Sequence, residues 1–431
     1  MSEQRDIRIT VPVLARVEGE GALELAITGG KIEHLQLRIY EPPRLFEKFM
    51  LGHSHQDVLD MVARICGICP VAYQMSAVQA MESMFGVEIS PWVRDMRHVM
   101  YFGEWLQSHS LHIHLLAAPD FFGYSSALEM AKEYPDEVRR GLNLQTLGNQ
   151  LIALFGARSV HPVGIRVGGF FKAPEPAAVD ALCLRLEQAL PEAAALVHWC
   201  AGLEFPDDAQ QFTSVALRHP DEYAMYDGRI VSSDGLDIGV EEYEQHFDEF
   251  QVPQSTAFHS HLDGKPYLVG PLARLNLNMQ QLPRPVLENL QQAGISFPSQ
   301  NMFHSIVARA VELHFAVYEA LRLLKQYRPD DPAVEFEPRA GIAYGISEAP
   351  RGILWHGYTI DAAGKITKAK IVPPTSQNQW RIEQDLGLSL QNCGLDQPDD
   401  VLRLRAEQVI RNYDPCISCA THFLKLDVKR S

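Results

Sequence analysis

The chain has 431 residues, of which 46% are hydrophobic and 21% are charged, as in a globular protein with a sizeable core. Its formal net charge of -16 argues against a partner that is bound through phosphates, whether nucleic acid or an anionic membrane surface. No uninterrupted apolar stretch approaches the roughly 18 residues that a membrane-spanning helix needs.

The N-terminal segment has neither an apolar signal core nor a twin arginine. This composition predicts a cytoplasmic protein, unless a partner subunit carries an export signal. Seven cysteines, an odd and sparse number, argue against a disulfide framework.

The first predicted element is a β-hairpin region over residues 1–40, where apolar and polar residues alternate on both sides of a turn at Thr28–Lys31. Apolar residues then recur at helical spacing, which predicts long helices over about 91–117, 127–156, 176–202 and 302–328.

The acidic stretch Asp234–Gln251 predicts an exposed insertion. A second hairpin is expected within Gly341–Val372, and a short helix over about 400–411. Because no repeat or linker interrupts the chain, we expect a single domain over 1–431. Its predicted fold is mainly α, a large helical bundle with small peripheral β-sheets.

Two Cys-x-x-Cys motifs lie at opposite ends of the chain, at Cys66/Cys69 and at Cys416/Cys419. Cysteines three residues apart can present both sulfur atoms to one ion, so the two pairs together predict a four-thiolate site for a soft metal. Ordinary zinc-ribbon pairs lie only roughly 15–20 residues apart, which argues against a local zinc knuckle. The alternatives are two unrelated zinc or redox half-sites, or buried thiols that act as small hydrophobic groups.

Four motifs occur in a characteristic order: Arg16-Val17-Glu18-Gly19, Arg64-Ile65-Cys66-Gly67-Ile68-Cys69, Glu348-Ala349-Pro350-Arg351-Gly352 and Asp414-Pro415-Cys416-Ile417-Ser418-Cys419-Ala420-Thr421-His422. Together they resemble the large, catalytic subunit of nickel-iron hydrogenases over almost the whole chain. The segment Val372–Asn378 is similar to the cytoplasmic, NAD(P)-linked or sulfhydrogenase-like branch.

The resemblance implies that Cys66, Cys69, Cys416 and Cys419 bind nickel, and that Cys69 and Cys419 also bridge to an iron that carries carbon monoxide and cyanide. Thiolates suit a soft metal, and their pKa falls on coordination. The implied reaction is the reversible splitting of H₂ into protons and electrons. Cys416 or Arg351 would take part first in proton uptake, and Glu18 would relay the proton outward, since burial can raise the pKa of a carboxylate towards the working pH.

Other residues are implied to surround this centre. Arg351 and Thr375, beside Pro350, would donate to the small iron ligands, and Asp414 and Asp120 would flank Arg351. Where the family often has a histidine, this chain has Tyr73, which can still donate a hydrogen bond near Cys69. From spacing alone, Glu18 and Asp120 would instead be a hairpin-edge residue and a helix-end turn residue.

Glu47 and His422 resemble ligands of a separate Mg²⁺ or Fe²⁺ ion near the C-terminus. Members of the family are commonly trimmed directly after that histidine by a maturation endopeptidase. Residues 423–431 are therefore expected to be a cleavable extension.

Only three cysteines remain after the four ligands are assigned, too few for a four-thiolate iron-sulfur cluster. The resemblance therefore implies an iron-sulfur small subunit, and flavin- and NAD(P)-binding diaphorase subunits beyond it. No Gly-x-Gly-x-x-Gly fingerprint occurs here, which agrees with nucleotide binding elsewhere. Two alternatives are a non-catalytic metal-binding scaffold and a quinone-module subunit related to respiratory complex I, which lacks the nickel thiols.

Overall fold

The computed structural model describes residues 6–421. The His422 prediction and the predicted extension 423–431 lie outside this range. Helices dominate the described residues, and the strands form small separate sheets, so the predicted fold class is confirmed.

The helices make up a little under half of the described residues. Their bounds are α1 Phe46–Phe49, α2 His55–Val62, α3 Pro70–Phe85, α4 Pro91–Leu111, α5 Ala118–Phe122, α6 Ala127–Met130, α7 Pro135–Gly156, α8 Pro176–Ala201, α9 Tyr243–His246, α10 Pro271–Asn278, α11 Arg284–Gln292, α12 Ser305–Lys325, α13 Pro374–Cys393, α14 Asp399–Tyr413 and α15 Ile417–Ala420. A π-helical turn, His112–Ala117, joins α4 to α5, and short 3₁₀ turns occupy Val240–Glu242, Met279–Gln281 and Met302–His304.

The strands pair antiparallel throughout. Their bounds are β1 Ile7–Val11, β2 Gly21–Thr28, β3 Lys31–Ile39, β4 Ile165–Arg166, β5 Gly169–Phe170, β6 Val215–Arg218, β7 Arg229–Ser232, β8 Asp237–Ile238, β9 Phe247–Phe250, β10 His259–Leu262, β11 Gly341–Ala349, β12 Gly352–Ile360 and β13 Ile366–Val372. The sheets have the orders β1-β2-β3, β4-β5, β6-β7-β8, β10-β9 and β11-β12-β13.

Both predicted hairpins are confirmed, and each gains a third strand. The pair β2–β3 turns at Gly29 and Gly30, and β1 extends it through the register Ile7↔Ile27. The pair β12–β13 is joined by β11, which connects to β12 through the two-residue turn Pro350-Arg351. This turn carries one of the predicted site residues.

Local capping explains where the helices begin. Ser90 accepts a hydrogen bond from the Val93 N–H at the start of α4, and Pro91 takes the first helical position, where no N–H is needed. The predicted helix over 127–156 is wrong as one element, because α6 ends at Met130 and Pro135 starts α7.

The predicted exposed insertion at Asp234–Gln251 is also wrong. Most of its carboxylate side chains are exposed, but Tyr243 and Phe247 are buried in a second hydrophobic core beside β11–β13, where Tyr243 stacks on both Phe247 and Trp355. The apolar face of this segment could not be recognised from the sequence, because its helices and strands are too short to show a hydrophobic period among the many charged residues.

The main hydrophobic core is formed by α3, α4, α7, α8 and α12, and it includes all four predicted cysteine ligands. No helix within residues 6–421 is long and apolar enough to cross a membrane.

Candidate metal centre

The structure brings the two cysteine pairs together, as predicted. The Cys66 and Cys416 sulfur atoms are 3.4 Å apart, those of Cys69 and Cys419 are 3.4 Å apart, and those of Cys416 and Cys419 are 2.8 Å apart. All four sulfur atoms lie within 4.8 Å of one another, and each side chain is at most 4% exposed. Four thiolates around one ion at metal–sulfur distances of about 2.3 Å would be separated by comparable distances.

The first pair lies in the loop between α2 and α3. Pro70 starts α3 directly after Cys69, and the next two backbone N–H groups, of Val71 and Ala72, donate to the carboxylate of Glu104 at 2.6 and 3.1 Å. Glu104, which is 0% exposed, comes from α4 and satisfies donors that a helix start leaves without partners. The Cys66 sulfur accepts from the N–H groups of Ile68 and Cys69, both at 3.3 Å.

The second pair follows α14, which ends at Asp414 in a left-handed conformation with φ 55°. The Cys416 N–H donates to the Thr375 hydroxyl at 3.0 Å, at the start of α13. The Ile417 N–H donates to the Glu18 carbonyl at 3.0 Å. Contacts from two distant segments of the chain, at Glu18 and at Thr375, therefore place this pair.

Charge and burial act in opposite directions on the thiols. Burial raises the pKa of Cys69, Cys416 and Cys419. At Cys66, burial is outweighed by hydrogen bonds from the other three thiols and by the charge of Arg351, which lower its pKa. The cluster therefore favours at least one thiolate before any ion is bound.

Glu18 lies beside the second pair, as expected. Its Oε2 atom accepts from the Ser418 N–H at 3.0 Å, and its backbone forms a parallel bridge with Cys416. Burial and the charge of Cys66 raise its pKa, whereas hydrogen bonds from Ser418 and Cys416 lower it. A half-buried carboxylate with a raised pKa is suited to exchange protons.

Arg351 reaches the same loop from the turn between β11 and β12. Its Nε donates to the Asp414 carbonyl at 2.6 Å, its Nη2 to Asp414 Oδ1 at 3.0 Å, and its Nη1 to the Ser108 hydroxyl at 3.3 Å. Asp414, Cys416, Cys69 and Cys66 act together against the burial of the guanidinium and raise the pKa of Arg351, which therefore stays charged beside the thiols. The predicted pairing of Arg351 with Asp414 is observed.

The expectation that Asp120 also flanks Arg351 is not met by its hydrogen bonds. Its carboxylate accepts from Arg411 at 2.7 and 2.9 Å and from Arg16. Arg16 lies in the same loop as Glu18, between β1 and β2, and Arg411 lies in the last turn of α14. Because Arg16 and Arg411 both donate to its carboxylate, Asp120 joins the segment that carries Glu18 to the segment that leads to Cys416.

Two buried polar atoms near the thiols have no hydrogen-bond partner within residues 6–421, the Tyr73 hydroxyl and Asp414 Oδ2. Tyr73 is 0% exposed, and burial followed by the charges of Cys419 and Cys69 raises its pKa, so the hydroxyl keeps its proton and can donate. A buried donor without a partner costs about 1–3 kcal/mol. Together with the four thiols, this unused donor fits a metal centre that carries small acceptor ligands.

Glu47 lies in α1, and its Oε1 atom accepts from the Ile371 N–H at 2.7 Å. Burial raises the pKa of Glu47 to about 7, against the opposing influence of that hydrogen bond and of Lys370. The Arg44 N–H donates to the Thr421 carbonyl at 2.9 Å, so the last described residue adjoins the segment that carries Glu47.

Several buried ionic residues near the centre were missed by sequence reasoning, namely Glu104, Arg274, Arg309 and Glu312. Each interrupts an apolar helical pattern, as Glu104 does between Tyr101 and Trp105. A charged residue on an apolar helix face is the signal that identifies such groups, because an unpaired buried charge is very costly.

Comparisons with known proteins agree with this geometry. The family model described as nickel-dependent hydrogenase matches residues 44–139 and 241–422. The chain is 33% identical to sulfhydrogenase 1 subunit alpha of Pyrococcus furiosus over 97% of this chain and 98% of that protein. It is 26% identical to the NAD-reducing hydrogenase HoxS subunit beta of Cupriavidus necator over 97% of this chain and 95% of that subunit.

Among solved structures, an NAD⁺-reducing [NiFe]-hydrogenase in the H₂-reduced state is similar. The TM-score is 0.86 at 26% identity, covering 96% of this chain and 99% of that chain. The family match includes both cysteine pairs.

Proposed function

This chain belongs to the nickel-dependent hydrogenase family and is a catalytic hydrogenase subunit, and from this premise we propose how its residues take part in the reaction. The proposed reaction is the reversible splitting of H₂ into protons and electrons. The observation that carries the proposal is the cluster of four buried thiols within 4.8 Å, beside a buried arginine and a half-buried glutamate.

The proposed nickel ligands are Cys66, Cys69, Cys416 and Cys419, with Cys69 and Cys419 also bridging to iron. Soft thiolates suit this pair of metals. When bound, the centre would supply heterolytic cleavage of H₂ and accept the electrons. We further propose that the iron carries carbon monoxide and cyanide, and that Arg351 and Thr375, with Pro350 lining the same turn, donate to these ligands. Tyr73 is a further candidate donor, since its hydroxyl is otherwise unused.

The proposed proton route begins at Cys416 or Arg351 and continues through Glu18. The backbones of Glu18 and Cys416 form a parallel bridge, which places the two residues side by side and supports transfer between them. Arg351 is held charged by Asp414, so its contribution is to keep positive charge at the thiols. Asp120 has a supporting part, because its ion pairs hold the segments of Glu18 and Cys416 together.

A separate Mg²⁺ or Fe²⁺ ion is proposed at Glu47 and His422. The half-buried carboxylate of Glu47 suits a hard cation, and the Arg44–Thr421 hydrogen bond joins the last described residue to the segment that carries Glu47. We also propose that a maturation endopeptidase removes residues 423–431 from this single-domain chain.

The proposed partners are an iron-sulfur small subunit and, beyond it, flavin- and NAD(P)-binding diaphorase subunits. The similarity to an NAD-reducing hydrogenase subunit supports this arrangement. A cytoplasmic location is proposed with it, since that is where NAD(P) is exchanged.

Infrared spectroscopy of the anaerobically purified native complex tests the proposed centre. Bands in the region of metal-bound carbon monoxide and cyanide, shifting under H₂, are the expected result, with nickel and iron found together by metal analysis. A trimmed chain that lacks these bands and contains only zinc would contradict the proposal and favour a scaffold protein.

A further inference from the structure

A buried ionic cluster lies behind the turn that carries Arg351. The guanidinium of Arg274, from α10, donates to both carboxylate oxygens of Glu312, each at 2.7 Å, and to Glu348 Oε2 at 2.9 Å. The three side chains are 0% exposed. None of them belongs to the proposed proton route, so the cluster calls for a separate explanation.

The same guanidinium also holds the backbone of the turn. Its Nη1 donates to the Ala349 carbonyl at 2.8 Å and its Nη2 to the Pro350 carbonyl at 3.0 Å. These carbonyls belong to the two residues directly before Arg351. Arg274 therefore joins Glu312 on α12 to the backbone that presents Arg351.

Glu312 is itself tightly held. The Tyr223 hydroxyl donates to it at 2.8 Å, and His109 Nε2 lies 2.8 Å from its Oε2 atom. Burial would raise the pKa of Glu312, but the charge and hydrogen bonds of Arg274, followed by those of His109, lower it to about 2. Glu312 is therefore a permanent carboxylate near neutral pH, which suits a fixed support and not a proton carrier.

The opposite side of the turn is packed against backbone. Gly270 has φ 113°, and a Cβ atom there would lie 2.8 Å from the Arg351 carbonyl. The Cζ atom of Arg274 lies 4.5 Å from the centroid of the Trp105 ring. The indole N–H of Trp105 donates to the Glu348 carbonyl at 3.0 Å. The turn thus has little freedom to shift while Arg274 remains in place.

We propose that Arg274 and Glu312 form a clamp whose function is to position Arg351 over the thiols. Buried ion clusters seldom add stability beyond what apolar residues of similar size provide, so their value lies in fixing one geometry. Arg351 is then held from two sides, at its guanidinium by Asp414 and through the carbonyls of the two preceding residues by Arg274. The inference rests on the proposed function only in giving Arg351 a part in the reaction.

The test compares Glu312 with Glu82. Both are buried glutamates that bind an arginine through both oxygens, but only Glu312 is linked to the turn that carries Arg351. Glu82 binds Arg97 through both oxygens at 2.8 and 2.6 Å, also deep in the protein, but its hydrogen bonds reach neither the turn nor the thiol cluster. Glu312→Gln and Glu82→Gln should therefore cost similar stability. Only Glu312→Gln should affect Arg351.

Hydrogen–deuterium exchange of the peptide containing Ala349–Gly352 is the first measurement, made on the native complex. Glu312→Gln should speed its exchange about 10-fold, since a charged hydrogen bond to Arg274 is lost, and Glu82→Gln should leave it unchanged. Arg274→Lys should speed the exchange of this peptide as much as Glu312→Gln does, because lysine lacks the planar guanidinium that binds the carboxylates and the turn together. Tyr223→Phe, a milder change, serves if either variant fails to fold.

The second measurement is the infrared spectrum together with H₂-dependent dye reduction. We expect shifted bands and a kcat about 10- to 100-fold lower in Glu312→Gln, with little change in KM. Unchanged exchange, bands and kcat in Glu312→Gln would overturn the clamp and leave the hydrogenase assignment intact. A blank spectrum of the unaltered complex would instead contradict the proposed centre, while the exchange measurement would still decide the clamp.

Discussion

The two cysteine pairs supply the same chemistry but are held in different ways. Cys66 and Cys69 precede a long helix, α3, and the first free N–H groups of that helix are satisfied by one buried carboxylate, Glu104. Cys416 and Cys419 lie in a short segment at the end of the described chain. Contacts from Glu18, Thr375 and Arg351 hold that segment.

The two cysteine pairs therefore depend on different parts of the fold. The first pair lies in the loop that leads directly into α3, and the position of α3 follows from its packing in the main core. The second pair depends on contacts that exist only when the N-terminal loop, the β11–β12 turn and α13 are all in place.

The largest expected effect comes from removing a thiol of the second pair. Cys419→Ser should abolish H₂-dependent dye reduction and nickel retention while the helical core stays folded, because a serine oxygen is a poor ligand for a soft metal. Metal analysis and circular dichroism of the complex check this. Cys183→Ser is the matched control, since Cys183 lies outside the thiol cluster. Full activity in Cys419→Ser would remove this residue from the centre.

Arg351→Lys tests the contacts that hold the second pair. Lysine keeps the charge but cannot donate to the Asp414 carbonyl and carboxylate with the same planar geometry. We expect a folded protein with about 10²-fold lower turnover, measured as kcat for H₂ oxidation. If the variant turned over as fast as the unaltered protein, the positive charge at position 351 would be enough for activity and its hydrogen bonds to Asp414 would not be needed.

Glu104→Gln tests the first pair, and here the effect should fall mainly on stability. The amide NH₂ would face the N–H of Val71 or Ala72, which leaves a buried donor without an acceptor at the start of α3. The free energy of unfolding should decrease by about 1–3 kcal/mol, with nickel retained. Chemical denaturation measures this change. A loss of activity as large as that expected for Arg351→Lys would contradict this prediction. It would mean that Glu104 affects turnover as strongly as the contacts that hold the second cysteine pair.

The last prediction concerns the pH dependence of stability. Burial raises the pKa of Glu348 to about 7, above its ordinary 4.5, despite the opposing charge of Arg274. The folded state therefore binds a proton that the unfolded state releases, so this contribution to stability is present below pH 4.5 and is lost as the pH rises to about 7. Glu348→Gln should remove up to about 3 kcal/mol of that pH dependence. Thermal unfolding of both proteins at pH 5 and pH 8 measures the difference, and parallel curves would contradict it.

Much of the fold could be predicted because its elements carry strong periodic signals. The helix predicted over 400–411 occurs as Asp399–Tyr413, and the turn at Asp361–Lys365 separates the expected strands. The prediction failed at 127–156, where Pro135 restarts a helix, and at 234–251, where buried aromatic residues alternate with many charges.

The candidate site could be predicted as far as residue type and spacing identify chemistry. Cys66, Cys69, Cys416 and Cys419 were found from their pairing, and Asp414 was found beside Arg351 as expected. Asp120 pairs with Arg411 and Arg16 instead, because partner choice among several arginines depends on three-dimensional distance. The roles of Glu18, Glu47, Pro350, Thr375 and Tyr73 remain predictions.

The sequence by itself indicated the kind of chemistry, since two Cys-x-x-Cys motifs favour a soft-metal site and the resemblance to the hydrogenase family implied that Arg351 lies beside it. Only the tertiary structure decided how that site is supported. Glu104, Arg274 and Glu312 come from helices whose relative positions no local pattern encodes. Periodicity reports which face of a helix is buried, whereas the partner of a buried charge follows from how whole helices pack against each other.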